Sequence, residues 1–281
     1  MTKYRLKQLL WKNIIYAFLT ILFFISVIPI YMLLINATRS TAEINAGLAI
    51  IPGSDLINNW RIIQGFGINI PRGIMNSAII AFSSTFLTVY FSLLTAYAIV
   101  VYNFKGKKFF YGFILAMTMV PMSLYLIGFF QYMHAIGLLN TMLPMIIPSI
   151  AAPGAVFFFK QYLDAAIVPE LIQAARIDGA SEIGIFNKIT LPLAAPGAFT
   201  MAIFAFVGSW NAFMGPLFII GGNPDLHTLP LIMQRLQGDA FRTDFGAIYL
   251  GMAISLVPIL IVYAVFSKYI ISGIAMGSVK E

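Results

Sequence analysis

Five stretches of this chain run for 23 to 51 residues without an Asp, Glu, Lys or Arg. They lie between Lys12 and Arg39 (26 positions), Arg72 and Lys105 (32), Lys108 and Lys160 (51), Lys188 and Asp225 (36), and Asp244 and Lys268 (23). About 20 apolar residues suffice for a helix to cross the hydrocarbon core of a bilayer. The 51-residue run is long enough for two crossings joined near Gly137–Asn140, so six spans are expected. Composition agrees: 60% of residues are hydrophobic, 10% are charged, and mean hydropathy is +0.90, so lipid is the solvent for most of the chain. The runs far exceed the ~10-residue alternating segments of a membrane barrel. The expected fold is therefore an all-α membrane protein with six transmembrane helices. Prolines inside or near the spans (Pro29, Pro121, Pro144, Pro148, Pro153, Pro216, Pro258) predict bends that neighbouring helices re-satisfy.

Charge sets the expected orientation. Six crossings place both termini on one side. That side carries twelve of the seventeen Lys and Arg residues; the other has Arg39, Arg61, Arg72, Arg235 and Arg242. The positive-inside rule makes the richer side cytoplasmic, which predicts a multi-pass protein of a prokaryotic cell membrane. The net charge of +7 then reflects topology and needs no nucleic-acid partner. Lys3, Arg5, Lys7 and Lys12 precede an apolar run too long for a signal peptide, which is read as an uncleaved first span. The absence of cysteine excludes disulfide and thiol chemistry. His134 and His227 stand apart from any ligand cluster and read as polar loop residues.

Two outer loops are expected, roughly 37–72 and 221–244. The first holds Asn58, Asn59, Trp60 and Gln64, the second Asn223, His227, Gln234 and Gln237. Each loop could dock an external partner or cap the bundle.

One polar island interrupts the apolar runs: PELIQAARIDGASEIGIFNKITLP, from Pro169 to Pro192. Pro169 suits a first helical position and Glu170 suits the first turn. Leu171, Ala174, Ala175 and Asp178 recur at i, i+3, i+4 and i+7, which predicts one face of a short helix. Gly179 suits the residue that ends it, and Ser181 suits the cap of a second short helix toward Ile189. Two readings stay open from periodicity: a connector lying on lipid headgroups, or a helix whose small residues seat in a groove of another protein.

The island resembles the EAA motif of ABC importer membrane subunits, Glu-Ala-Ala, three residues, Gly, nine residues, Ile-x-Leu-Pro. Ala174-Ala175, Gly179 and Ile189-Thr190-Leu191-Pro192 fill it with both spacings kept, while Gln173 stands where the family has Glu. The string ARIDGASE (Ala175 to Glu182) is similar to the carbohydrate-uptake branch. So are Asn76-Ser77, Phe104-Lys105-Gly106, Gly137-Leu138-Leu139-Asn140, Trp210-Asn211, Thr228-Leu229-Pro230 and the tail from Lys268 to Gly273. Together they resemble the G-type membrane subunit of the maltose importer.

The resemblance implies a type I ABC importer permease fold with a cytoplasmic coupling helix. It divides the chain into 1–70 (N-terminal segment, first span and outer loop), 71–270 (the transmembrane domain with the coupling segment 169–192) and 271–281 (a cytoplasmic tail). It implies a non-enzymatic permease subunit of a sugar or oligosaccharide importer. Its partners would be a second permease subunit on a different chain, an ATPase dimer, an extracytoplasmic sugar-binding protein and membrane lipid. No Gly-x4-Gly-Lys-Ser/Thr stretch occurs, so no cofactor is expected on this chain, and ATP and Mg belong to the ATPase. The ATPase-coupling residues would be Glu170, Gln173, Ala174, Ala175, Asp178, Gly179, Leu191 and Pro192. The last outer loop would meet the binding protein through Gly221, Gly222, Asn223 and His227. Tyr125, Gln131, Trp210 and Asn211 carry the aromatic faces and amides that sugars bind, with ordinary span packing as the competing reading. An ion-coupled secondary transporter is the alternative, and the lack of ionisable residues in the runs counts against it. An intramembrane enzyme would need a catalytic set that the spans lack.

Overall fold

The computed structural model describes residues 3–237 and 243–278, with the side chains of 3–7, 10, 122, 123, 125 and 268–278 outside the description. The described residues are helical and irregular throughout, with no strand. The helices are α1 (Lys3–Asn36), α2 (Thr41–Asn45), α3 (Leu56–Gly65), α4 (Ile70–Val101), α5 (Lys107–Thr118), α6 (Met122–Ala135), α7 (Leu143–Ile146) and α8 (Pro153–Ala166). They continue with α9 (Pro169–Ile177), α10 (Glu182–Ile185), α11 (Leu191–Leu193), α12 (Ala195–Trp210), α13 (Met214–Ile220), α14 (Leu229–Leu236) and α15 (Phe245–Ser278).

Among the described residues, four segments are long and apolar enough to cross a membrane: Trp11–Asn36, Ile70–Val101, Leu143–Ala166 and Phe245–Ser267. Glu182–Leu193 and Ala195–Trp210 meet at 80° and together make a fifth candidate. Pro192 and Pro196 bring about this bend, since neither has an N–H to continue the helical ladder. The sixth expected span falls on α5 and α6. These helices of 12 and 14 residues are separated at Met119–Pro121, so neither reaches the length of a crossing alone. Pro29 and Pro258 sit inside continuous helices.

Two compact units are present. The first comprises Met1–Ile68 and Met233–Leu256. The region expected as an outer loop is folded here around buried polar groups. The Asn59 side chain is 1% exposed and donates to the carbonyls of Ala37 (2.9 Å) and Arg39 (3.0 Å). The buried Arg39 guanidinium is held by Asn36 and by the carbonyls of Gly47 and Glu43. A Cβ at Gly246 would collide with Arg39 O and the Asn59 amide, so the start of α15 needs a glycine there. Asn59 is thus a structural residue, while Asn58 and Gln64 remain exposed.

The second unit comprises Asn69–Ile232 and Val257–Glu281. Its centre is α4, which packs against α8 and α12; α5 packs on α8, and α13 on α6. The main core joins Leu93, Ala96 and Tyr97 of α4 to Phe159 and Leu163 of α8 and to residues of the 169–198 segment. Burying each such large apolar side chain contributes about 1.5–3 kcal/mol where water is the alternative. A second cluster at the other end of α4 gathers Met133, Ile219, Ile220 and Leu231.

Candidate functional site

The island folds as two short helices at a bend. Pro169 opens α9 and Glu170 lies in its first turn. Gly179 follows the helix with φ +78°, a left-handed conformation that costs other residues about 1 kcal/mol or more. Open space surrounds its Cα, so the requirement is one of backbone and not of room. Ser181 caps α10 by accepting from Gly184 N at 3.2 Å. The helix then widens into a π turn over Phe186–Thr190 before α11. Pro192 cannot donate to the carbonyl four residues back, which favours such an opening.

The face of α9 differs from the sequence expectation by about one position. Ile172 (3% exposed) and Ala175 turn inward onto Ile185 and Phe186. Glu170, Gln173, Ala174 and Ile177 turn outward, with Ile177 86% exposed. These four lie at i, i+3, i+4 and i+7 and form the free stripe. Ala175 therefore packs inward within this chain, on the side opposite the stripe. Leu191 packs half-buried against the same core, while Asp178, Gly179 and Pro192 stay exposed. The reason is physical. Small residues suggested a contact face, but the largest apolar side chain, Ile172, decides which side is buried.

A charged clasp holds the bend, and sequence reasoning did not assign it. Across Gly179, Arg176 Nε and Nη2 donate to the Glu182 carboxylate at 2.7 and 3.2 Å. The hydroxyls of Tyr97 (3.1 Å) and Tyr102 donate to Glu182 Oε2. The Arg176 guanidinium lies 5.5 Å from the Tyr102 ring centre, in cation–π range. Hydrogen bonds from Arg176 first, then Tyr102, hold the Glu182 carboxyl down at about 2. Burial first, then the Glu182 carboxylate, pushes the Tyr102 hydroxyl up. Opposite charges six residues apart around a glycine were the available signal; the two tyrosines, in the last turn of α4 and just after it, come 85 and 80 residues earlier.

At the other end of α4, two of the short strings quoted above meet. The Asn76 amide donates to the carbonyls of Asp225 (2.9 Å) and His227 (3.0 Å), and Leu229 N donates to Ser77 Oγ at 2.8 Å. Arg72 pairs with Asp225 at 3.0 Å, and Asn223 caps the 3-10 turn Pro224–Leu226. His227 is buried, its Nε2 3.1 Å from Gly221 O. This contact fastens the imidazole to the loop backbone. Gly221 and Gly222 are exposed and Asn223 is half-buried.

The sugar-contact candidates differ in exposure. Trp210 is 2% exposed and stacks on Phe206 at 5.7 Å, so packing occupies its ring. Asn211 and Gln131 are exposed, while the Tyr125 side chain lies outside the described residues. No group of three or more His, Cys, Asp or Glu that could hold a metal occurs among the described residues.

Residues 88–275 match the family described as binding-protein-dependent transport system inner membrane component. The arabinooligosaccharides transport system permease protein AraQ of Halalkalibacterium halodurans is 36% identical over 260 residues, covering 92% of each chain. The trehalose/maltose transport system permease protein MalG of Thermococcus litoralis is 32% identical, covering 81% of this chain and 82% of its own. A chain from the crystal structure of a bacterial ABC transporter involved in the import of the acidic polysaccharide alginate aligns with a TM-score of 0.78 at 19% identity. That alignment covers 94% of this chain and 98% of the other and speaks to the fold.

Proposed function

This chain belongs to the family of binding-protein-dependent transport system inner membrane components, and on that premise we propose that it is a permease subunit of an ATP-driven importer of a sugar or oligosaccharide. The ATPase is a separate subunit in this family. On this reading α5 and α6 form one broken span, which brings the crossings to six. Together they contain 26 helical residues, about 39 Å at 1.5 Å per residue. The fifth crossing is then carried by α12, and both termini and the 169–192 segment before the 80° bend face the cytoplasm, as the Lys and Arg distribution favours.

The observation that carries the reading is the free stripe of α9. Glu170, Gln173, Ala174 and Ile177 stand outward on a helix whose opposite face is packed into the chain's own core. Such a helix transmits a push. Closure of an ATPase dimer beneath it would displace the packed unit and drive alternation between inward- and outward-open states. Gln173 supplies hydrogen bonds without charge, so the contact rests on shape and on Ile177 more than on an ion pair. The loop around Gly221–Asn223 faces the binding protein at the other end, and a second, different permease chain completes the pathway. The oligosaccharide substrate class rests on the relatives, which carry arabinooligosaccharides and trehalose/maltose.

The test is uptake of labelled arabino- and malto-oligosaccharides into vesicles bearing this chain with its partner subunits. Uptake should require ATP, the ATPase and the binding protein. Uptake that survives without the ATPase but collapses with the ion gradient would overturn the reading.

A further inference from the structure

A basic cavity lies where α4, α5 and α8 come together, away from the free face of α9. Its volume is about 580 Å³, within the range of small-ligand sites, and Lys107, Lys108, Lys160, Asn103 and Tyr111 are among its lining residues. Gly106, at φ +85°, turns the chain into α5, and Lys107 and Lys108 follow at once. Two cations at a helix N-terminus oppose the helix dipole, and no acidic residue occupies that first turn to compensate. Lys160 of α8 is half-buried beside them, 5.3 Å from the Tyr111 ring centre. Asp164 pairs with Lys160, and Lys107 donates to Tyr102 O at 3.0 Å. The positive charge of the cavity therefore exceeds its nearby negative charge. The Tyr111 hydroxyl is buried without a hydrogen-bond partner.

The floor is apolar. Ile99, Ile114 and Val156 form a buried cluster against which Tyr111 packs. On the outside of α5, Phe109 and Phe113 are exposed. A ligand with an anionic head and hydrocarbon chains matches both features. We propose that this cavity binds the phosphate headgroup of an anionic phospholipid, with the acyl chains along the exposed aromatic face of α5. Basic pockets between membrane helices suit such headgroups. A free phosphate would use the lysines and leave the aromatic face bare. The proposal rests on the reading that these helices cross a bilayer, and not on what is imported.

The test uses the full chain in mild detergent, with native mass spectrometry counting retained phosphatidylglycerol and phosphatidylcholine of identical acyl chains. Phosphatidylglycerol should be retained preferentially. Each of Lys107→Gln, Lys108→Gln and Lys160→Gln should weaken its binding about fivefold and leave phosphatidylcholine unchanged. The triple Lys→Arg variant should keep the preference, and Lys188→Gln should not alter it. Should Lys107→Gln or Lys160→Gln fail to fold, Lys108→Gln, on an exposed side chain, still gives the readout. Unchanged phosphatidylglycerol binding in these variants, or an equal loss with Lys188→Gln, overturns the proposal. So does inorganic phosphate binding as tightly as the lipid, or full displacement of the lipid by the ATPase subunits.

Discussion

The two ends of α4 hold their partner segments by different chemistry. At one end, Tyr97 and Tyr102 donate to Glu182, a carboxylate already paired with Arg176. At the other, Asn76 and Ser77 bond backbone groups of Asp225, His227 and Leu229. The charged clasp is 38–41% exposed, while Asn76 and Ser77 are buried. A neutral amide between buried carbonyls fixes a loop at little desolvation cost. An ion pair bridging a bend sets the angle between two short helices and keeps the outer face of the first free. The first arrangement suits a fixed cap, the second a lever that must keep its shape while pushed.

The largest effect should come from breaking the clasp. Glu182→Ala removes the acceptor of four hydrogen bonds and leaves Arg176 without its counter-charge. The drop in Tm should exceed that of every variant below, with transport falling at least tenfold. The pH dependence follows from the lowered Glu182 pKa of about 2, against an ordinary 4.5. A carboxyl depressed by folding contributes fully above about pH 4.5 and loses that contribution as pH falls toward 2. The Tm gap between wild type and Glu182→Gln should be constant from pH 5 to 8 and shrink below 4.5. A gap that varies between pH 6 and 8 would count against the clasp.

Next in size is the contrast between neighbouring alanines. Ala175→Leu overpacks the core beneath α9 and should destabilise the chain by about 2 kcal/mol. Ala174→Leu, on the free face, should leave stability within about 0.5 kcal/mol of wild type and weaken co-purification of the ATPase. If both variants behave alike, the division of α9 into a packed and a free face is wrong.

These two alanines also mark how far the sequence was legible. Uncharged runs sufficed for the long helices α1, α4 and α15, because hydrocarbon thickness sets a length that composition alone can meet. Pro169, Gly179 and Ser181 were legible because a missing N–H, a left-handed residue and a cap are local requirements. The facing of α9 was not, since Ala174 and Ala175 are chemically identical and only Ile172, packed in the core with Ile185 and Phe186, separates them. The same holds for Glu182, whose tyrosine partners lie 80 and 85 residues away. Asn76 and His227 are 151 residues apart and carry no spacing signal.

The neutral end of α4 should respond more mildly. Asn76→Ala removes two donors from the carbonyls of Asp225 and His227, one of which keeps its bond from Arg72 Nε. A loss of about 1.5 kcal/mol is expected, with reduced binding-protein-stimulated ATPase activity and unchanged ATPase co-purification. Coupling at the cytoplasmic end should be intact, which separates this variant from Glu182→Ala.

The smallest effect should come from Asp225→Asn. Here too an Arg–carboxylate pair spans two segments, at 3.0 Å and with the geometry of a salt bridge. Its side chains are 53% and 69% exposed, however, and its carboxylate has no tyrosine donors. Screening by water and salt leaves such a pair worth about 0–1 kcal/mol. The Asp225 carbonyl, which holds the loop to Asn76 and Arg72, survives the substitution. Thermal unfolding of Asp225→Asn should match wild type within about 0.5 kcal/mol at both low and high salt. A larger, salt-sensitive loss would mean that charge fastens both ends of α4, and the contrast between clasp and cap would fall.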